Sequence, residues 1–133
     1  TSMTAARCST YPMVFLKYRS ATKIKEKGHP WEIAKAWNHS AAIGRFISIE
    51  EATNEAGAID FSLTKNGDIV QQGITSDMIT SFDDLIVYIS KYFMLLRGDV
   101  IFTGTPKGVG PVEIGDKLEG FIGKESLLNC SIK

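Results

Sequence analysis

Hydrophobic residues recur with two different periods along this chain. In "SFDDLIVYISKYFMLLRG", Phe82, Leu85, Ile86, Ile89 and Phe93 return at helical spacing. Ser81 can cap this run, with Asp84 completing a capping box, and Gly98 can close it in a left-handed conformation. The pattern predicts one long helix over about 81–97. In "DFSLTKNGDIVQQG", Phe61 and Leu63 instead alternate with polar residues. Asn66-Gly67 is the preferred pair for a type I′ turn, so a hairpin is predicted with its return strand beginning at Ile69-Val70. "LLRGDVIFTG" and "VEIGDKLEGFIG" share one shape: an apolar approach, Gly-Asp, then a strand. In each, Gly98 or Gly115 supplies a turn, and Asp99 or Asp116 can accept from the turned backbone.

The remaining elements are shorter. "GHPWEIAKAWN" reads as a helix with Pro30 in its first turn, and Ser48 with Glu51 offers a capping box for a helical turn in "SIEEA". "YPMVFLK" (residues 11–17) reads as a strand, while the rest of 1–22 is small and polar with no clear period. The sum is an α+β domain, predominantly β, and a single domain over 1–133.

Composition narrows the function classes. Of 133 residues, 44% are hydrophobic, enough for a core. Fifteen basic residues balance fifteen acidic ones, so no basic field draws in nucleic acid or an anionic membrane. The lysines among residues 23–27 are interrupted by Glu26 and read as a solvated helix face. Cys8 and Cys130, near opposite ends, read as free thiols in a reducing compartment. No apolar run approaches the ~20 residues of a membrane helix. No secretory start is visible, and "RGD" at Arg97–Asp99 reads as a turn before a strand. These features predict a cytoplasmic protein, or a mitochondrial one in a eukaryote.

Two places carry candidate chemistry. "TGTPKGVGP", Thr103 to Pro111, is a loop in which glycines expose N–H groups and the Thr103 and Thr105 hydroxyls can donate to a carboxylate or phosphate. It lacks P-loop spacing, and a bare connection is the competing reading. Lys35, among Trp31, Ala34 and Trp37, can be half-buried and poised to stabilise an enolate, or can lie along apolar surface with its head in water. His29 and His39 have no ligand partners at metal spacing, and Glu50-Glu51 and Asp83-Asp84 are adjacent acids with no paired geometry.

"GHPWEIAKAW", "GITSDMITSFDDLIVYIS" and "LLRGDVIFTGTPKGVGPVEIGDKLEGFIGKESLLN" occur in an order and spacing that resemble the C-terminal half of fumarylacetoacetate hydrolase-family proteins. The resemblance covers about 23–133 and is nearest to the small acylpyruvase and oxaloacetate decarboxylase members. It implies a mixed-β roll, usually a homodimer, with Mg²⁺ or Mn²⁺ held by three carboxylates. The implied reaction is cleavage of a C–C bond in a short 1,3-diketo or 2-oxo acid, with an isomerase or hydratase on a similar acid as the alternative. By position, the enolate-stabilising lysine is Lys35. The substrate-carboxylate threonine is Thr105, with Gly104 beside it.

The family's metal segment, His-His-Glu-x-Glu-Leu followed later by Asp-x-Thr-x-Arg-Asp, does not occur in this chain. No metal ligand is therefore assigned. A join around Tyr18–Lys23 predicts a spatial gap between Lys17 and Lys25, far beyond the ~3.8 Å between neighbouring Cα atoms. A genuine deletion would instead leave a non-catalytic scaffold domain, the rival from another class.

Overall fold

The computed structural model describes residues 26–28 and 41–132. Lys35, both histidines, Cys8, the strand expected at 11–17, the helix expected after Pro30 and the junction between Lys17 and Lys25 lie outside the described residues.

In chain order the elements are α1 (Ile49–Ala52), β1 (Asp60–Lys65), β2 (Asp68–Ile74), a 3₁₀ turn (Thr75–Asp77), α2 (Phe82–Ser90), β3 (Lys117–Ile122) and β4 (Glu125–Ser131). The strands form one sheet in the order β2-β1-β3-β4, and every pairing is antiparallel. The chain leaves the sheet after β2 and returns at β3. That excursion carries α2 and the Thr103–Pro111 loop.

Local signals place the turns. Asn66 and Gly67 take φ of 55° and 94°, the two positive values a type I′ turn requires. Between β3 and β4, Gly123 alone takes a positive φ, 56°, the pattern of a type II′ turn. Ser48 accepts from the Glu51 N–H while the Glu51 carboxylate accepts from the Ser48 N–H, so the capping box of α1 is complete.

The two Gly-Asp units fold alike. Asp99 accepts from the Leu96 N–H at 2.7 Å, and Asp116 accepts from the Glu113 N–H at 2.8 Å. The second leads into β3 as expected. The first leads into residues 100–103, which form no strand and pair with none among the described residues.

α2 begins where expected but is shorter. Ser81 accepts from the Asp84 N–H at 3.1 Å, yet its own hydroxyl donates to the Asp84 carboxylate at 2.7 Å, so the cap is not the reciprocal box. The helix ends at Ser90 rather than near 97. The N–H groups of Lys91 and Tyr92 reach carbonyls three residues back, on Tyr88 and Ile89, which tightens the last turn, and the Phe93 N–H shares the Ile89 carbonyl. Gly98, with φ of 102°, closes the Leu96–Asp99 turn instead of the helix.

The core has two adjoining centres. Leu63, Leu118 and Leu128 form one, with Val70, Val112 and Cys130 packed against it. Ile59, Ile122 and Leu127 form the other, reached by Phe61, Ala52 and Phe82. Leu127 and Leu128 are consecutive, and a regular strand would send them to opposite faces. A bulge resolves this. Gly120 pairs with Leu128 and Phe121 with Ser126, so Leu127 is the extra residue and both leucines are buried.

A second bulge lies on the opposite edge strand. Leu63 pairs with Gln71 and Thr64 with Ile69, which leaves Val70 unpaired in β2. Each bulged carbonyl is met by a glycine from a crossing segment. Gly44 lies against the Leu127 carbonyl, which also accepts from the Arg45 N–H at 2.8 Å, and Arg45 pairs with Glu125. Gly108 lies against the Val70 carbonyl. Both sheet edges are thereby covered where their ladders are broken.

Candidate functional site

The Thr103–Pro111 loop is held on the β2 edge by three contacts. Gly108, with φ of 102°, packs so closely on the bulge that a Cβ there would overlap the Val70 oxygen. Gln71 follows the bulge residue and is 7% exposed. Its Nε2 donates to Thr105 Oγ1 at 3.0 Å and to the Pro106 carbonyl at 3.3 Å. A buried amide costs free energy unless it is hydrogen-bonded, and these two acceptors satisfy both of its N–H groups. Pro106 and Pro111 fix φ on either side of Gly108 and Gly110.

This geometry sets what Thr105 can do. Its hydroxyl oxygen accepts from Gln71, so its single O–H remains available to another acceptor. Thr105 is half-buried and Gly104 beside it is exposed with φ of 113°, so hydroxyl and backbone can meet a ligand at the surface without the loop being ordered first. Thr103 is half-buried and Lys107 is exposed.

Behind the loop, Leu63, Val70, Val112 and Leu118 line an apolar recess together with Gln71 and Lys65. Lys65 donates to the Pro111 carbonyl at 3.4 Å and stands 3.7 Å from Asp116. The Glu113 N–H and then the Asn66 amide hold the Asp116 carboxyl below its ordinary value of 3.8, against a smaller opposing effect of burial, and the Lys65 ammonium adds the least. Asn66 donates to Asp116 at 2.8 Å and accepts from the Lys117 N–H at 2.9 Å. The hairpin turn and the Glu113–Asp116 turn are thus locked together beneath the far end of the loop.

Of the residues predicted from sequence, Thr105 and Gly104 stand together at this face, while Lys35 lies outside the described residues. Gln71 was not anticipated. Its signal was available: in β2 it falls on the core-facing side opposite Leu63, and a glutamine there needs partners. Among the described residues, no three His, Cys, Asp or Glu side chains are grouped to hold a metal ion. Asp99 and Asp116, the acids of the two Gly-Asp turns on either side of the loop, accept from the backbone of their own turns. The described residues therefore do not fit a three-carboxylate metal centre. None of their helices is long and apolar enough to cross a membrane.

An antiparallel sheet with a glycine-rich loop on its bulged edge is consistent with the resemblance seen in the sequence. Residues 13–133 match the model of the fumarylacetoacetate (FAA) hydrolase C-terminal family, and the chain belongs to that family. It is similar to the oxaloacetate tautomerase YcgM of Escherichia coli K12, with 48% identity over 96 residues, covering 72% of this chain and 44% of that protein. A solved structure of a fumarylacetoacetate hydrolase family protein from Yersinia pestis CO92 matches with a TM-score of 0.74 and 45% identity, covering 85% of this chain and 51% of that one. The fumarylpyruvate hydrolase of Pseudomonas aeruginosa, solved with Mn²⁺ and pyruvate, matches with a TM-score of 0.72 and 34% identity, covering 84% of this chain and 48% of that one. The relatives named for an activity are enzymes, and the chain spans about half the length of those it matches.

Proposed function

We propose that this chain is the part of an enzyme that holds the carboxylate of a short 2-oxo acid while the acid passes through its enolate. The observation carrying the proposal is the Gln71–Thr105 hydrogen bond, which leaves the Thr105 O–H free as a donor on a pre-shaped loop. The pyruvate in the fumarylpyruvate hydrolase structure supports a 2-oxo acid as ligand.

The chemistry this chain contributes is positional and electrostatic. Thr105, with Gly104 beside it, anchors the carboxylate and sets the orientation of the neighbouring ketone. When the carbon beyond the ketone loses a proton, or loses its bond to an acyl group, the electron pair moves onto the ketone oxygen. The family resemblance assigns Lys35 to stabilise that oxygen, as a buried or half-buried ammonium can. A divalent cation, Mg²⁺ or Mn²⁺, belongs to the proposal through the Mn²⁺ in the fumarylpyruvate hydrolase structure, although the described residues do not supply its ligands.

Between the two reactions, proton transfer within the oxo acid stands first, because the oxaloacetate tautomerase is 48% identical and the fumarylpyruvate hydrolase 34%. C–C cleavage of an acylpyruvate or fumarylpyruvate is the second reading, supported by that hydrolase. The full natural protein, with Mg²⁺ or Mn²⁺, should accelerate enol–keto conversion of oxaloacetate or cleave one of these acids, and Lys35→Ala should abolish the rate. An absence of turnover on all of them would favour the scaffold reading.

A further inference from the structure

We propose that Gln71 is a positioning residue that aims the Thr105 hydroxyl proton at the substrate carboxylate. The inference rests on the carboxylate-site reading of Thr105.

A buried primary amide can be turned either way, and which way decides what its neighbours do. Pro106 decides it here. Its carbonyl can only accept, and it lies 3.3 Å from the Gln71 amide nitrogen, so the NH₂ end must face the loop. The second N–H then points at Thr105 Oγ1, 3.0 Å away. A hydroxyl that could have donated to a carbonyl oxygen of Gln71 is made an acceptor instead. Its one proton is turned away from the strand, toward whatever approaches the loop.

Strand and loop cannot slip past one another to relax this arrangement. Gln71 follows the bulged Val70, and Gly108 is pressed against the Val70 carbonyl. Bulges commonly re-aim a neighbouring side chain, and this one delivers a strand amide to a loop hydroxyl. Thr105 is thus presented as a donor in advance of binding. Without the amide, its rotor has no preferred direction and ordering it falls to the ligand.

A carboxylate anchor is present in both the bound ground state and the transition state, so losing its orientation raises KM while kcat changes little. In the full natural protein, Gln71→Leu should raise KM for the accepted oxo acid about tenfold at nearly unchanged kcat. Gln71→Met, also unbranched, serves if leucine does not fold. Gln71→Glu should do more, about a hundredfold near pH 8, because a carboxylate accepts the Thr105 proton and repels the substrate. Its excess over Gln71→Leu should shrink as pH falls toward 5 and the introduced carboxyl protonates. Combining Gln71→Leu with Thr105→Val should raise KM no further than Thr105→Val alone. A lowered Tm with unchanged KM, or a pH-independent excess for Gln71→Glu, overturns the inference and leaves the carboxylate site standing. Wild-type protein that turns over no oxo acid overturns both.

Discussion

Gly108 rests against the main-chain carbonyl of Val70, the residue that the β2 bulge leaves unpaired. The contact explains why a loop 38 residues further along keeps its register on this edge strand (108 − 70). Any side chain at 108 must displace the loop or the strand, and φ of 102° there disfavours every residue but glycine. Gly108→Ala should therefore destabilise the protein by about 1–3 kcal/mol. It should also raise KM, since Thr105 moves with the loop. Urea denaturation and steady-state kinetics measure the two effects. Wild-type values in both would mean that the loop is not held at this point.

The hydrogen bonds from the Glu113 N–H and the Asn66 amide to Asp116 make a pH prediction. The Asp116 carboxyl is held below its ordinary value of 3.8, so its folded pKa lies beneath its unfolded one. Such a group contributes stability above the unfolded value and loses it as pH falls through the folded one. Wild type and Asp116→Ala should thus differ most in urea midpoint above about pH 4 and converge below it. A difference that stays constant from pH 7 to pH 3 would show that the carboxylate's ionisation is not what matters there.

The homodimer expected from the family resemblance is also open to test. Tyr88, Tyr92, Phe93 and Met94 are all exposed on α2 and the turn after it, and the two tyrosine rings lie 5.4 Å apart. An apolar patch of this kind commonly marks an interface. Tyr92→Glu with Met94→Glu should shift the full natural protein from dimer to monomer in sedimentation, with little change in Tm of the monomer. An unchanged dimer would place the interface elsewhere.

What the sequence disclosed was local. Asn66-Gly67, the Ser48 cap and the two Gly-Asp turns each act through neighbours a few residues away, and each stands as expected. The end of α2 was not legible, because Tyr92, Phe93 and Leu96 continue an apolar pattern that the backbone does not follow. Neither bulge was legible. Val70 and Leu127 are extra only by comparison with a partner strand. Gln71 was hidden for the same reason, since its value comes from a loop that folds back onto the strand carrying it. Thr105 and Gly104 were reached through the family resemblance. The loop's composition alone favoured a bare turn.

The most direct test of the central claim is the KM of the full natural protein for its oxo acid with Thr105 altered. Thr105→Val removes the O–H while keeping the shape, and should raise KM about ten- to a hundredfold, the cost of one hydrogen bond to a charged group. Thr105→Ser should stay within a few-fold of wild type. If Thr105→Val binds the acid as wild type does, the loop does not hold the carboxylate and the account is contradicted.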